Sequence, residues 1–515
     1  MKNIFKNLFI LDLANNHFGD LQHAKKIIDN FSKIINKFKI NACIKFQFRD
    51  LDSYIHPNFR KDKKNKFVKR FTSTRLEIDE LKLLFKYVKS KGIKTCCTPF
   101  DEKSIEIIEE FKFDFLKIAS VSSNDWTLIE RSVENNIPKI ISTGGRSLNE
   151  IDKIFNFFEQ KNEKFAIMHC VSIYPTEDRY SELHTITKLL TRFNNQIEIG
   201  WSTHEDPNNL LIGPIAYSLG ARIFEKHIGI NSRKYKLNKY SISPSLFEKY
   251  LEKINLTKDI IGDEKSKVVT QIENKTLSSL ERGMYLRKNV KKNEFLSYEN
   301  IYFAFPKIKN QISSSGFSFL HKKHKILKDL LKDKPIKISD VKTIENKKII
   351  NLTNYIHEAR SILRSNKINL GSHFDLEISH HYGINKFRNY GCFLFNCINR
   401  KYAKKIVLLF SNQKHPLHKH RLKEETFQIL SGVLESTLNG KTSKLFPGDT
   451  ILVKPGVWHN FRALDEPCIF EEVSTTSFPD DSFYKDMSIN KLNREQRKTR
   501  LSNFNTSELD LKLND

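Results

Sequence analysis

The chain has 515 residues, and its 87 Lys and Arg against 60 Asp and Glu give a formal net charge of +27 at pH 7. This length predicts about three domains. The basic residues are spread along the whole chain. The densest basic run, residues 59–70, has few aromatic residues between its charges, so we expect no nucleic-acid partner.

Two further features of the composition concern location. No apolar stretch is long enough to span a bilayer, so no membrane partner is expected. Seven cysteines, an odd number, show no zinc-site spacing and are typical of reduced thiols. We therefore expect a cytoplasmic protein.

Residues 8–260 alternate short apolar runs with longer amphipathic segments. We predict strands at 8–13, 42–48, 93–100, 113–120, 138–143, 164–170, 196–202 and 221–227. Eight successive βα units are typical of an α/β TIM (β/α)8 barrel. A doubly wound sheet is the alternative, although that fold more often carries a glycine-rich nucleotide loop, and this sequence has none.

Polar side chains stand at the carboxyl ends of these strands, where TIM barrels carry their active sites. They are Asp12, Lys45, Gln47, Thr98, Lys117, Ser120, Ser142, His169, Ser202, His204, Glu225 and His227. Lysines and hydroxyls suit a phosphate or a carboxylate. His204 and His227 follow neighbouring strands, and two imidazoles with added waters can hold a divalent metal. Such groups on nearly every strand predict a single site.

The segments at these strand ends resemble, in order, the signature segments of the sialic acid (nonulosonic acid) synthases. They are LDLANNHFGD (11–20), KFQF (45–48), TPFD (98–101), LKIAS (116–120), ISTGG (141–145), HCVSIYP (169–175), GWSTH (200–204) and FEKHIGI (224–230). The resemblance covers residues 8–255. Residues 281–306 are similar to the start of the SAF (antifreeze-like) domain that follows the barrel in that family, and 332–341 to its closing segment.

The resemblance implies a transferase, similar to N-acetylneuraminate synthase, that forms a C–C bond using phosphoenolpyruvate. The acceptor would be an open-chain N-acetylated hexose, either N-acetylmannosamine or a 2,4-diacetamido-trideoxyhexose. The products would be a nonulosonic acid, such as sialic or legionaminic acid, and phosphate. The family also implies a domain-swapped homodimer in which each SAF domain caps the partner's barrel.

Residue roles are implied in the same way. Catalytic roles fall on Asp12, Lys45, Lys117, His204 and His227, with His204 and His227 as ligands of Mn²⁺ or Mg²⁺. Substrate contacts fall on Gln47, Thr98, Ser120, Ser142, Ser172, Tyr174, Ser202 and Glu225.

Four positions depart from the family pattern. Asp12 stands where the family has Glu, and Ser122 stands where it has another Glu. Asn238 replaces an Asp, and Phe305 replaces an Arg that precedes a Pro. Residues implied for phosphoenolpyruvate are kept while sugar-side residues change, which favours the same chemistry on an altered sugar.

The alternative is a sugar-binding, regulatory or sugar-isomerase protein that acts through its C-terminal domain while the barrel is inert.

The C-terminal part alternates short strands with turn signals such as Asn439-Gly440 and Pro447-Gly448. Its metal-ligand candidates, His418, His420, Glu425 and His459, resemble the double motif of the cupins. Three histidines and one glutamate make a site for Mn, Fe, Ni or Zn. A metal-free domain used only for dimerisation is the alternative, and the site's role as catalyst, sensor or scaffold is left open.

These readings give a three-module organisation. The predicted segments are 1–260 (barrel), 261–276 (linker), 277–344 (SAF domain), 345–400 (connecting segment), 401–486 (all-β cupin) and 487–515 (polar, mobile tail).

Overall fold

The computed structural model of the protein describes residues 4–62, 64–262 and 267–509. The chain forms two compact units, Met1–Val268 and Val269–Asp515. Within the described ranges, no helix has both the length and the apolar character needed to cross a membrane. All seven cysteines are unpaired.

The first unit is a closed barrel of eight parallel strands that pair in chain order, with the eighth strand returning to the first. The strands are β1 (Leu8–Asp12), β2 (Asn41–Phe48), β3 (Lys94–Pro99), β4 (Phe115–Ile118), β5 (Lys139–Ser142), β6 (Phe165–Cys170), β7 (Ile199–Ser202) and β8 (Ile223–His227). Nearly all of their residues are buried, as expected for a parallel sheet covered on both faces. The predicted TIM barrel is confirmed.

Helices follow the strands and cover the outside of the barrel. They are α1 (Leu21–Phe38), α2 (Leu51–Tyr54), α3 (Lys66–Ser73), α4 (Ile78–Ser90), α5 (Glu102–Phe111), α6 (Trp126–Ser132), α7 (Leu148–Gln160), α8 (His184–Arg192), α9 (Ile212–Ser218) and α10 (Pro244–Ile261). In α1 the apolar residues Ile27, Phe31 and Ile34 recur at helical spacing and are buried in the main core. Asp20 caps this helix by accepting hydrogen bonds from the backbone N–H groups of residues 22 and 23.

The inside of the barrel has an apolar floor. Leu8 and Ile10 of β1 pack there with inward residues of the other strands, and Phe5 belongs to the same cluster. Because side chains alternate along a strand, the next inward position of β1 after Ile10 is Asp12. The same alternation puts Lys45 above Cys43 in β2. The polar strand ends therefore lie directly above an apolar plug.

The second unit begins with α11 (Gln271–Ser279) and two antiparallel strand pairs. The pairs are β9 (Gly283–Leu286) with β10 (Ile301–Ala304), and β11 (Lys322–Ile326) with β12 (Val341–Glu345). A small core that includes Met284, Ile301 and Ile326 holds them together. This region coincides with the predicted SAF segment, and its family identity stays a prediction.

The rest of the second unit is built on two antiparallel sheets. Seven strands form the first sheet in the order β20-β17-β22-β15-β14-β13-β24, and five form the second in the order β19-β18-β21-β16-β23. The strands are β13 (Asp375–Ser379), β14 (Cys392–Asn399), β15 (Tyr402–Leu409), β16 (Lys414–Lys419), β17 (Glu425–Ser431), β18 (Leu434–Leu438), β19 (Lys441–Leu445), β20 (Thr450–Val453), β21 (His459–Ala463), β22 (Cys468–Thr475), β23 (Phe483–Tyr484) and β24 (Lys498–Ser502). Three helices accompany them: α12 (Lys347–Ser365), α13 (Met487–Asn490) and α14 (Arg494–Arg497). The all-β C-terminal domain is confirmed.

The edges of this domain differ from the predicted segments. Residues 345–400, expected to connect two modules, contain α12, β13 and β14. The buried face of α12, including Leu352 and Ile356, packs in one core with outward residues of the seven-stranded sheet. Residues 498–502, expected in a mobile tail, form β24, which pairs along its whole length with β13. The end of the predicted tail, 510–515, and residues 263–266 of the predicted linker lie outside the described residues.

Candidate active site and metal centre

The strand register brings charged residues of the barrel to one level at the carboxyl ends. Asp12 is the Cα partner of Lys45 on one side and of His227 on the other. Ser202 of β7 is likewise opposite Glu225 of β8. All five side chains belong to residues that are less than a tenth exposed. The set expected from the strand ends is therefore assembled at one place.

Two lysines and two carboxylates form a buried ion network in this set. Nζ of Lys45 lies 2.5 Å from Oε1 of Glu225 and 3.0 Å from Oδ2 of Asp12. Nζ of Lys117 lies 3.2 Å from Oε2 of Glu225. These side chains are at most 5% exposed. Because buried charge is tolerated only when it is paired, each member of the network depends on the others.

The network keeps both kinds of group ionised. Burial alone would raise the pKa of Glu225, but Lys117 and Lys45 bring that pKa well below its usual value. Burial alone would lower the pKa of Lys45, but Asp12 and Glu225 raise it above its usual value. The site therefore presents fixed ammonium groups in a water-poor environment at neutral pH.

His204 and His227 stand beside this network, with ring centroids 5.2 Å apart. Nδ1 of His204 lies 3.2 Å from the carbonyl oxygen of Val171. In a neutral ring that nitrogen carries the proton, which leaves the lone pair on Nε2. Burial and the neighbouring His227 lower the pKa of His204 to about 3, and burial lowers the pKa of His227.

His227 also shows an orphaned polar atom. Its Nδ1 is buried, has no hydrogen-bond partner among the described residues, and lies 3.5 Å from Oδ2 of Asp12. Two neutral imidazoles beside a carboxylate are a donor set that a divalent cation can use. The residues present therefore fit a Mn²⁺ or Mg²⁺ ion, with His204 and His227 as ligands.

Hydroxyl groups border the lysines. Lys117 donates a hydrogen bond to Oγ of Ser142, and Oγ1 of Thr98 is buried with no hydrogen-bond partner in the described part of the chain. Oγ of Ser120 accepts the N–H of Gly144 at 3.0 Å. A Cβ atom at Gly144 would collide with the hydroxyls of Ser120 and Ser172, so the glycine allows these two serines to approach each other.

The remaining predicted residues lie at the same end, but the side chain of one of them faces away from the barrel interior. Nε2 of Gln47 donates to Oδ2 of Asp12 at 3.0 Å. The Tyr174 ring lies 4.1 Å from that of His204 and is half exposed. That residue is His169, which stands between the inward Met168 and Cys170 and places its Nε2 2.9 Å from the carbonyl oxygen of Ser181, outside the barrel interior.

Three residues that the strand-end argument did not select also belong to the site region. Nδ2 of Asn16 donates to the carbonyl of Ile228 at 2.8 Å and to Oγ of Ser241 at 2.9 Å, which ties the loop after β1 to that after β8. The Tyr240 ring lies 5.2 Å from the His227 ring. Arg49, in the loop after β2, has a pKa lowered by burial to about 10. These residues lie in loops, where strand periodicity gives no signal.

Of the four departures from the family pattern, Asp12, Ser122 and Asn238 lie in the barrel and Phe305 lies in the second unit. Ser122 is buried in the turn after β4, and Asn238 donates to Oδ1 of Asn16 at 3.4 Å. Phe305 is 61% exposed in the second unit. Asp12 retains a carboxylate within the ion network, and Asn238 contributes an amide to the loop tie formed by Asn16.

The C-terminal domain contains a histidine triad. One ligand atom each from His418, His420 and His459 lies within 4.8 Å of the others, and all three residues are buried. Each ring places Nδ1 within 3.0 Å of a backbone carbonyl: Pro416, Asp481 and Val457, respectively. In neutral rings these nitrogens carry the protons, which leaves three Nε2 lone pairs for a metal.

Glu425 completes this donor set. Its Oε2 lies 3.2 Å from Nε2 of His459 and its Oε1 lies 3.5 Å from Nε2 of His420. Oε2 of Glu425 and Nε2 of His459 are both buried without a hydrogen-bond partner among the described residues. Oε1 of Glu425 also forms a buried ion pair with Nζ of Lys423, while Oε2 faces the histidine triad. Three imidazole nitrogens and one carboxylate oxygen are a donor set that fits a divalent transition metal.

Comparisons with known proteins agree with this geometry. The model of the NeuB family matches residues 37–266, and the cupin domain model matches residues 406–474. Pseudaminic acid synthase from Campylobacter jejuni is 29% identical over 312 residues, 58% of this chain and 87% of that protein. N-acetylneuraminate-9-phosphate synthase from Drosophila melanogaster is 29% identical over 296 residues, 52% of this chain and 76% of the relative.

One solved structure extends the comparison to an entire chain. A Chromobacterium violaceum protein, named as spore coat polysaccharide biosynthesis protein E, is 34% identical, with a TM-score of 0.63. The match covers 65% of this chain and 100% of that protein. With the family model over the barrel and a relative matched along its full length, this chain belongs to the NeuB family.

Proposed function

We propose that the barrel joins phosphoenolpyruvate to an open-chain N-acetylated hexose, giving a nonulosonic acid, such as sialic or legionaminic acid, and phosphate. The observation that carries this proposal is the buried pair Lys45 and Lys117 around Glu225, beside two neutral histidines. Relatives named as pseudaminic acid and N-acetylneuraminate-9-phosphate synthases support the same class of reaction.

In this proposal the lysines and hydroxyls bind phosphoenolpyruvate. Lys45 and Lys117 meet its phosphate and carboxylate, because charge-assisted hydrogen bonds from fixed ammonium groups are strong in a dry site. The hydroxyls and other polar side chains that would share this contact are Gln47, Thr98, Ser120, Ser142, Ser172 and Ser202. Asp12 and Glu225 hold the ammonium groups in position before the substrate arrives.

The proposed reaction balances without an oxidant or reductant. C3 of phosphoenolpyruvate forms the new C–C bond to the aldehyde carbon of the sugar. Water then adds at C2, and the C–O bond to phosphate breaks, which leaves a 2-keto acid. Tyr174, beside His204 and half exposed, borders the sugar side.

The proposal gives the barrel metal one role, at the sugar aldehyde. Mn²⁺ or Mg²⁺ held by His204 and His227 would supply Lewis-acid polarisation of the sugar aldehyde. The chain's own contribution is to keep both imidazoles neutral by burial, and to fix the His204 ring through the Val171 carbonyl.

The sugar would differ from that of the family pattern. Ser122 and Asn238 replace acidic residues, while the residues assigned to phosphoenolpyruvate are retained. Asn238 contacts Asn16, which is itself tied to the loop after β8, so this replacement alters the wall that we assign to the sugar.

We also propose a domain-swapped homodimer, on the resemblance of residues 281–306 and 332–341 to the SAF domain. Exposed Phe305 would stand where the family places an arginine that reaches the partner's site. A homodimer mass in solution by light scattering would support this assembly, and a monomer at micromolar concentration would exclude it.

The test of the function is phosphate release from phosphoenolpyruvate with Mn²⁺, across N-acetylated and di-N-acetylated hexoses. We expect release that depends on one class of sugar. Lys117→Met should abolish it, whereas Lys94→Met should not, because Lys94 lies at the opposite, amino-terminal end of its strand and binds Asn41. No release with any sugar from folded, metal-loaded protein would overturn the proposal.

The buried triad favours a second candidate, a sugar-binding or sugar-isomerising protein that acts through the cupin domain with an inert barrel. Isomerisation or binding of a panel sugar without phosphate release, lost in His418→Ala, would favour it over the synthase.

A further inference from the structure

The cupin domain encloses a cavity of about 490 Å³ between its two sheets. This volume is within the range of small-molecule sites and suits a ligand of monosaccharide size. The cavity is bordered on one side by metal-site residues, including His418, His420 and Glu425. On another side it is bordered by residues of β13 and β24, and these two strands lie outside the segment 401–486 that was predicted to form the cupin.

The wall formed by β13, β24 and the start of α14 carries a group of cations around one carboxylate. Nζ of Lys498 lies 2.5 Å from Oε1 of Glu377, and Nη2 of Arg494 lies 3.5 Å from Oε2. Nε and Nη2 of Arg500 donate to the same Oε2 at 3.1 Å. We call Glu377, Arg494, Lys498 and Arg500 the Glu377 cluster.

Strand register explains why this cluster faces the cavity. Glu377 is opposite Arg500, and Ser379 is opposite Lys498, at alternate positions of the paired strands. The intervening residues Leu376 and Ile378 turn the other way, into the core beneath α12. Lys498 and Arg500 are therefore on the inner face of the sheet, and Arg494 reaches Glu377 from the start of α14.

The balance of charge along the cavity favours an anionic ligand. The described lining residues include five cations, Lys405, Lys423, Arg494, Lys498 and Arg500, and four acids, Asp375, Glu377, Glu425 and Glu472. Lys423 is paired with Glu425 and Glu472, and Lys405 with Glu472, so five cations against four acids leave one net positive charge, to which a bound metal would add. Nε of Arg494 is also buried with no hydrogen-bond partner in the described part of the chain.

We infer that this cavity binds a sugar acid, with its carboxylate against the Glu377 cluster and its hydroxyl or carbonyl oxygens toward the histidine triad. Charge-assisted, often bidentate contacts from arginine and lysine are the usual recognition of a carboxylate. Tyr484 also lines the cavity, and its ring lies 5.7 Å from that of His418. A ligand that spans both ends needs an extended polyhydroxy chain as well as an anionic group.

The test is calorimetric binding to the full-length, metal-loaded protein with three probes: N-acetylneuraminate, the neutral sugar N-acetylmannosamine, and inorganic phosphate. We expect the sugar acid to bind at least about tenfold more tightly than either of the others. Equal affinity for the neutral sugar, or phosphate binding as tight as that of the acid, would overturn the inference.

Variants locate the binding site. Lys498→Met and, separately, Arg494→Gln should each weaken acid binding about tenfold or more. Each variant leaves Glu377 with two of its cations, which preserves the fold. Lys404→Met is the matched control, because Lys404 neighbours Lys405 in β15 but pairs with Glu471 outside the cavity.

The same variants separate this inference from the proposed function of the barrel. Lys498→Met should leave phosphate release from phosphoenolpyruvate unchanged, so failure of one proposal does not imply failure of the other. If Lys117→Met removes acid binding while Lys498→Met and Arg494→Gln do not, the acid binds in the barrel and the inference about the cupin is wrong.

Discussion

Among single residues of the barrel, Glu225 stabilises the site most, because its carboxylate forms ion pairs with both Lys45 and Lys117. Glu225→Gln keeps the size of the side chain but leaves Asp12 as the one carboxylate in contact with Lys45 in the described network. Breaking a buried pair from one side costs about 3–5 kcal/mol. We therefore expect the free energy of unfolding of the barrel to fall by that amount, measured by denaturant titration.

The control for this prediction is an exposed ion pair of the same barrel. Glu248 pairs with Lys37 at 3.3 Å, and both side chains are at least a third exposed. Glu248→Gln should cost less than about 1 kcal/mol, as solvent screens the pair. Equal losses in the two variants would contradict the assignment of Glu225 as the centre of a buried network.

His227 is the second residue on which the site depends. His227→Ala removes one of two neutral imidazoles, so we expect condensation to be lost and Mn²⁺ affinity to fall at least about tenfold, with the barrel still folded. His184→Ala is the matched control, since His184 is an exposed histidine at the start of α8. Activity and Mn²⁺ affinity measured side by side test this, and unchanged turnover in His227→Ala would remove the metal assignment.

At the scale of elements, β24 depends on a buried neutral histidine. Nε2 of His380 lies 2.9 Å from Oγ1 of Thr499, and burial lowers the pKa of His380 from 6.5 to about 4. As the pH falls below 6.5, the unfolded chain binds a proton at His380 before the folded chain does. The contribution of the neutral histidine to the free energy of unfolding is therefore largest above pH 6.5 and falls as the pH drops toward 4. The loss amounts to up to about 3 kcal/mol.

His380→Gln should flatten this pH dependence. The measurement is amide hydrogen exchange of residues 498–502 at several pH values between 7 and 4, corrected for intrinsic exchange rates. His373→Gln is the control, because His373 is exposed just before β13 and should leave the slope unchanged. If His380→Gln and the unaltered protein lose protection in parallel as the pH falls, His380 does not govern the strand.

The elements also show what the sequence could and could not predict. Barrel strands were predictable because a parallel strand buried on both faces is a continuous apolar run, and alternation from Ile10 to Asp12 points the charges inward. The role of β24 was not predictable from composition. Its residues Lys498 and Arg500 suggest an exposed tail until β13 supplies Glu377 as their partner, more than a hundred residues earlier in the chain.

The same reasoning holds for the two sites. Lys45, Lys117 and the cupin ligands follow from strand ends and motif spacing, which are local. Asn16 and Tyr240 lie in loops, whose approach to the site depends on contacts such as that of Asn16 with Ser241. Long-range pairing of this kind leaves no periodic signal in the chain.

At the scale of the whole molecule, the barrel and the cupin carry two candidate metal sites of different composition, one in each compact unit. Three histidines and Glu425 are the proposed ligands in the cupin, whereas two histidines beside a carboxylate are those proposed in the barrel. We expect His418→Ala to lose one equivalent of bound transition metal per chain, counted by elemental analysis, while phosphate release in added Mn²⁺ stays within about twofold. We expect this because every residue that we assign to condensation lies in the barrel. Loss of phosphate release in folded His418→Ala protein would show instead that the cupin site is coupled to the barrel's reaction, and the proposed division of roles would then be wrong.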